Sequence, residues 1–99
     1  MEHKIQQKET EGKGMFYIEI DGDIVAELTY TLKNNNVMTL DHTETEPEMT
    51  GKGLASSLVK HSVDFARKNK LKVDPLCRYA AKEFERHEEY QEVKAAETE

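Results

Sequence analysis

The sequence predicts an α+β domain in which an antiparallel meander of three to four strands leads into one βαβ unit followed by a C-terminal helix. Three observations carry this expectation. Residues 15–32 alternate apolar and polar side chains on either side of Asp21-Gly22, the pattern of a hairpin closed by a two-residue turn. The period then changes: Leu54, Ala55, Leu58, Val59, Ser62, Val63, Phe65 and Ala66 recur at helical spacing, with Lys60, Asp64, Arg67 and Lys68 outside the stripe. A short apolar run at 71–74 follows and is stopped by Pro75; strand, helix, strand makes a right-handed crossover that lays the last strand parallel to the one before the helix.

In chain order, residues 1–3 are expected to be loose, residues 4–9 to form a polar edge strand, and residues 11–14 to turn. Phe16, Ile18 and Ile20 then oppose Tyr17 and Glu19. In the next strand Ile24, Ala26, Leu28, Tyr30 and Leu32 share one face, with Val25, Glu27, Thr29 and Thr31 on the other. Asn34, Asn35 and Asn36 tolerate left-handed backbone and close a second turn. Beyond it, strict alternation places Met38, Leu40, His42 and Glu44 on one face and Val37, Thr39, Asp41 and Thr43 on the other. The helix spans about 53–68, with Asn69 near its end as a cap. A second helix runs from Arg78 to His87 or a little further, with Tyr79, Ala80, Ala81 and Phe84 turned inward; His61 is expected on the exterior of the first helix. Residues 91–99 are polar and expected to fray, with 92–99 flexible.

Residues 1–99 read as a single domain. A formal charge of −6 and the lack of a basic stripe argue against nucleic acid and suit a cationic substrate better. The single cysteine, Cys77, excludes an internal disulfide and a thiolate zinc cluster, so no metal site is expected. No apolar run approaches a membrane span and no apolar signal region is found, which makes a soluble, cytoplasmic domain the default.

The segment Thr50-Gly51-Lys52-Gly53-Leu54-Ala55-Ser56 joins the fourth strand to the helix. Glycines there let backbone approach a ligand, and the helix behind them presents unpaired N–H groups and a positive dipole end, an arrangement suited to phosphate. A P-loop fails, because no glycine is followed directly by lysine and Ser/Thr. A dinucleotide fingerprint nearly fits, with Ser56 in place of the third glycine, but that fold needs several crossovers and this chain has one. The bland alternative is a surface loop before a helix.

Taken with Asp41-His42-Thr43-Glu44, Pro47-Glu48, Val73-Asp74-Pro75-Leu76-Cys77, Tyr79-Ala80, Phe84 and His87-Glu88-Glu89-Tyr90, the loop resembles that of the GNAT N-acetyltransferase superfamily, in its short single-domain GNAT-like or YidJ-like subgroup. The resemblance covers roughly residues 15–92. Gly53 and Ala55 match the family's loop, whereas Thr50 stands where Gln or Arg is usual and adds no guanidinium or amide contact.

The resemblance implies a minimal acyl-CoA N-acyltransferase fold and acetyl-CoA as co-substrate, without a metal. The loop amides of Met49, Thr50, Gly51, Lys52, Gly53, Leu54 and Ala55 would then hold the pyrophosphate, and Arg78 and Lys52 would meet phosphate charge. The pantetheine arm would pass between two splayed strands, near Thr43 and Tyr79, and a backbone N–H near residues 43–45 would meet the oxyanion. Cys77, after the parallel strand and at a helix start, would lie near the thioester as acyl acceptor or general acid; a buried structural thiol is the alternative. His42, with Glu44 beside it, would take the amine's proton or draw in a cation; both equally suit a solvated strand end. Tyr79 resembles the family's thiolate-protonating tyrosine, against a plain packing role.

A full-length member carries two helices between its first strands, where this chain has only Asp21-Gly22. The acceptor, a small-molecule or peptide amine, would therefore dock on an open cleft, or a second copy of the chain would complete the site. A coenzyme A binding module without turnover, a sensor or adaptor, is the competing reading.

Overall fold

The computed structural model describes residues 4–95; the loose ends expected at 1–3 and 96–99 lie outside the described residues. One five-stranded sheet has the order β1-β2-β3-β4-β5. β1 (Ile5–Thr10), β2 (Lys13–Ile20), β3 (Asp23–Lys33) and β4 (Val37–Thr45) form the antiparallel meander. β5 (Lys72–Asp74) pairs with β4 in parallel after the crossover through α1 (Leu54–Lys68), and α2 (Arg78–Arg86) follows. The α+β architecture is the one the alternation and the change of period predict.

The turns sit where left-handed backbone is cheapest. Asp21 and Gly22 both have positive φ, at 53° and 85°, as do Glu11 and Gly12 at 53° and 80°. Two consecutive positive φ values give a turn whose twist matches that of the strands it joins. The first turn is narrower than the expected 11–14, because Lys13 and Gly14 already pair with Thr31 and Tyr30. The second expected turn closes with Asn36 at φ 63°.

The face expected to be apolar packs on α1. Phe16, Ile18, Leu28, Tyr30, Met38 and Leu40 form one core with Leu58, Val59, Val63 and Ala66. Its aromatic end is dense: Phe16 lies 4.9 Å from the Tyr30 ring, 5.4 Å from Phe65 and 4.8 Å from His61. His61, expected on the exterior, packs edge-on against Phe16 because the buried stripe of α1 is wider than its strictly apolar residues. Burial lowers the His61 pKa from its usual value, opposed by the charge of Asp64. The Tyr30 ring passes over Gly14 to reach β1, where its hydroxyl donates to Glu9 Oε1 at 2.8 Å and accepts from Gln7 Nε2 at 2.7 Å. One buried phenol thus ties down a polar edge strand.

Asn69 ends α1, its side-chain amide donating to the Phe65 carbonyl at 2.8 Å. Residues 91–95 do not fray as expected. A 3-10 helix, Glu88–Val93, buries Tyr90 and Val93; Ala95 N–H then donates to the Val73 carbonyl at 2.7 Å. Two anchors in a polar segment hold it against the outer edge of β5, and Arg67 of α1 grips Glu92 at 2.9 Å. No helix among the described residues is long and apolar enough to cross a membrane.

Candidate functional site

The site begins with a break in β4. Tyr30 pairs with Leu40, but Thr29 pairs with His42, so Asp41 is the extra residue of a β-bulge. A one-residue insertion reverses the side to which every later side chain points. His42 and Glu44 therefore lie with Thr29 and Glu27 on the face away from the core, not with Met38 and Leu40 as strict alternation predicts. Thr43, opposite Leu28, takes the core-side place instead. Asp41 is held by its neighbours, its carboxylate accepting from Thr31 Oγ1 at 2.7 Å and Thr39 Oγ1 at 2.8 Å.

On that open face His42 Nε2 lies 3.5 Å from Glu44 Oε2, both side chains well exposed. Glu44 is also directly opposite Glu27, and these two with Glu46 line a depression of about 280 Å³ beside the glycine loop. Like charges placed opposite one another weaken a sheet.

β5 stays with β4 only as far as Thr39↔Asp74. One further bond, from Cys77 N–H to the Leu40 carbonyl at 2.9 Å, precedes the parting of the chains. Cys77 is the N-cap of α2, and its Sγ accepts from Ala80 N–H at 3.3 Å. Thr43 Oγ1 approaches the same sulfur from β4, at 3.6 Å. The opening holds a groove of about 570 Å³ lined by Asp41, His42, Thr43, Cys77, Arg78, Tyr79 and Lys82. Thr43, His42, Cys77, Arg78 and Tyr79 are thus brought together, while Glu44 stays outside this lining.

The glycine loop lies where β4 turns into α1. Glu46 N–H donates to the Val25 carbonyl, and a 3-10 turn, Pro47–Met49, follows. Met49 N–H donates to the Glu46 carbonyl, and Thr50 donates to the Pro47 carbonyl through both N–H and hydroxyl. These two amides, expected to face a pyrophosphate, are occupied in shaping the turn. Gly51 and Gly53 have φ of 81° and 79°, and a Cβ on either would meet nothing within 4 Å. For the N–H groups of Gly51, Lys52, Gly53, Leu54, Ala55 and Ser56 no acceptor is found among the described residues. Gly53, the N-cap, supplies no side chain either, so the positive end of a fifteen-residue helix faces open space. Lys52 and Arg78 are exposed.

Tyr79 does not turn inward. It stands partly exposed at the rim of the groove, its phenol pKa raised by burial of its inner side and then by the charge of Glu83. Ala80 and Phe84 are buried as expected, Ala81 only in part. The third buried position belongs to Glu83, which the sequence reading passed over. Its signal was available: Ala80, Glu83, Phe84 and His87 fall at i, i+3, i+4 and i+7, so a carboxylate occupies the apolar stripe of a short helix.

Comparison with known proteins gives the arrangement a lineage. A family model for GCN5-related N-acetyl-transferases matches residues 15–93. A solution structure of a GCN5-like candidate N-acetyltransferase from Staphylococcus aureus superposes with a TM-score of 0.70 at 34% identity, covering 94% of this chain and 90% of that one. A ribosomal-protein-alanine N-acetyltransferase from Brucella melitensis biovar Abortus 2308 matches with a TM-score of 0.62 at 19% identity, over 90% of this chain and 65% of its own. The ribosomal-protein-S18-alanine N-acetyltransferase from Escherichia coli gives 0.59 at 20% identity, over 66% and 42% respectively. The last two show likeness of fold. No curated protein gives a significant match.

Proposed function

The chain belongs to the GCN5-related N-acetyltransferase family, and from that premise we propose that it transfers an acetyl group from acetyl-CoA to an amine. The observation that carries the reading is the run of amides without acceptors that opens α1. A groove between β4 and the start of α2, lined by Cys77 and Thr43, supports it.

The residues present fit the co-substrate. Amides of Gly51, Lys52, Gly53, Leu54 and Ala55, joined by Ser56, suit a diphosphate, and the open space at Gly51 and Gly53 leaves room for its oxygens. Met49 and Thr50 contribute the turn that aims those amides rather than donors of their own. Lys52 and Arg78 are free to meet the remaining phosphate charge. Acetyl-CoA supplies an activated thioester carbonyl; the chain's task is to orient it and to handle protons. The bulge at Asp41 releases β4 backbone from the ladder just before Thr43, which suits an N–H there to meet developing oxyanion charge.

His42, with Glu44, receives the ammonium proton at the mouth of the groove, so the amine approaches from the open face of the sheet. The carboxylates of Glu27, Glu44 and Glu46 on that side favour a cationic acceptor, a small molecule or a peptide. A second copy of the chain could close that face in solution. Cys77, between Ala80 N–H and the Thr43 hydroxyl, would receive the acyl group or protonate the departing thiolate.

Calorimetry with acetyl-CoA, followed by intact mass measurement, tests this. Saturable binding displaced by coenzyme A is expected, with thiol release when an acceptor amine is added and any acetyl adduct lost in Cys77→Ala. Folded protein that takes up no acetyl-CoA at millimolar concentration would overturn it. Tight binding without thiol release over a broad amine panel would identify a cofactor-binding module instead.

A further inference from the structure

α2 buries three side chains, and one of them, Glu83, is a carboxylate only 2% exposed. Burying a charge is costly unless it is paired and hydrogen-bonded. Here both oxygens have partners: Ser56 Oγ donates to Oε1 at 3.1 Å, His87 Nε2 lies 3.3 Å from the same oxygen, and Arg86 Nη1 donates to Oε2 at 3.4 Å. Ser56 stands in the first turn of α1, directly behind the glycine loop. Cys77 and Tyr79 stand at the start of α2 and line the groove beside β4. The Ser56–Glu83 hydrogen bond joins the two helices, and the Tyr79 hydroxyl lies against the same pair. A buried negative charge close to an anion site would weaken that site, and the Arg86 guanidinium answers it locally.

We propose that Glu83 is a positioning residue of the groove: by holding Ser56 it fixes the first turn of α2, and with it Cys77 and Tyr79, at a set distance from the glycine loop. Its consequence for catalysis rests on the acyltransferase reading; the clamp itself does not. Glu83→Leu also leaves Ser56 and the partly exposed Arg86 and His87 without their partner, so some loss of stability accompanies loss of the clamp, and the test separates the two.

The test uses the full chain carrying Glu83→Leu, Glu83→Gln or Ser56→Ala, and Cys77, the single cysteine, as reporter. Alkylation of Cys77 by iodoacetamide is expected to accelerate at least about fivefold in Glu83→Leu and Ser56→Ala through local opening of α2, by more than any fall in melting temperature accounts for. Glu83→Gln, which keeps an acceptor oxygen for Ser56, is expected to stay within about twofold of the parent. In acetyl transfer Glu83→Leu is expected to lose about tenfold or more in kcat with little change in acetyl-CoA affinity, because the diphosphate end is intact and the thioester end is displaced. Unchanged alkylation in both variants, or acceleration that only follows a fall in melting temperature, overturns the clamp. If the parent protein fails to bind acetyl-CoA, the reading of the groove falls, and the alkylation rates still decide the clamp.

Discussion

Gly14 and Gly53 lack a side chain for opposite reasons. A Cβ built on Gly14 would lie 2.4 Å from the Tyr30 ring, although the backbone there is ordinary strand. A Cβ on Gly53 would meet nothing within 4 Å, yet φ is 79°. Around Gly14 every group has a partner: Tyr30 fills the space, and its hydroxyl is met by Gln7 and Glu9. Around Gly53 the backbone donors find no acceptor among the described residues, and β4 beyond Thr39 has lost its parallel neighbour. One region is closed to hold the fold together, and the other leaves its backbone donors without protein partners.

That contrast is broken most directly at Gly14. Gly14→Ala forces a methyl group into the Tyr30 ring, and overpacking of this kind is expected to cost about 3 kcal/mol. Urea denaturation should show the loss, while acetyl-CoA affinity of the protein that remains folded stays at the parent value. Tyr30→Leu added to Gly14→Ala should recover part of the loss, since the two side chains compete for one space. Full stability in Gly14→Ala would mean that the ring can move aside and that this end is less tightly closed than it looks.

Tyr30→Phe sharpens the same point with a smaller effect. The ring stays and two hydrogen bonds go, at an expected cost of about 1.5 kcal/mol, since Gln7 and Glu9 can turn to water. The variant also carries a pH signature. Burial pushes the Tyr30 phenol up from 10.0 to about 12, with Gln7 pulling it back and Glu9 adding to the rise. The folded state therefore holds this proton more tightly than the unfolded chain. Its contribution is complete below the unfolded value of 10.0 and disappears as pH rises through about 12. Denaturation between those limits should show an alkaline slope in the parent that Tyr30→Phe flattens.

The two ends were also unequally legible in the sequence. Strands, hairpin turns and the α1 stripe follow from local periods, and the glycine loop from glycines placed just before a helical pattern. The bulge at Asp41 leaves no local mark, because it is a property of pairing with Thr29 and Tyr30 on another strand. It was enough to send His42 and Glu44 to the opposite face and to bring Thr43 to Cys77, a contact across 34 positions in the chain. Val93 was hidden in a polar tail by composition alone. Glu83 was different: its place on the apolar stripe of α2 could have been read, but a carboxylate is by habit assigned to solvent.

Gly53→Ala is the mildest change for the fold and the most telling for the open end. With no neighbour to strike, the added methyl group costs only the left-handed backbone, about 1 kcal/mol of stability. If the positive end of α1 grips a diphosphate, the same methyl group stands in the ligand's place and tilts the amides of Leu54 and Ala55 away from it. A tenfold loss of acetyl-CoA affinity, about 1.4 kcal/mol, is then expected beside that small loss of stability. At Gly14 the order is reversed, with stability lost and affinity kept. Calorimetry and urea melts on the two alanine variants should therefore cross over; parallel losses in both would mean that loop and sheet act as one cooperative unit, and that the open end is only a surface turn.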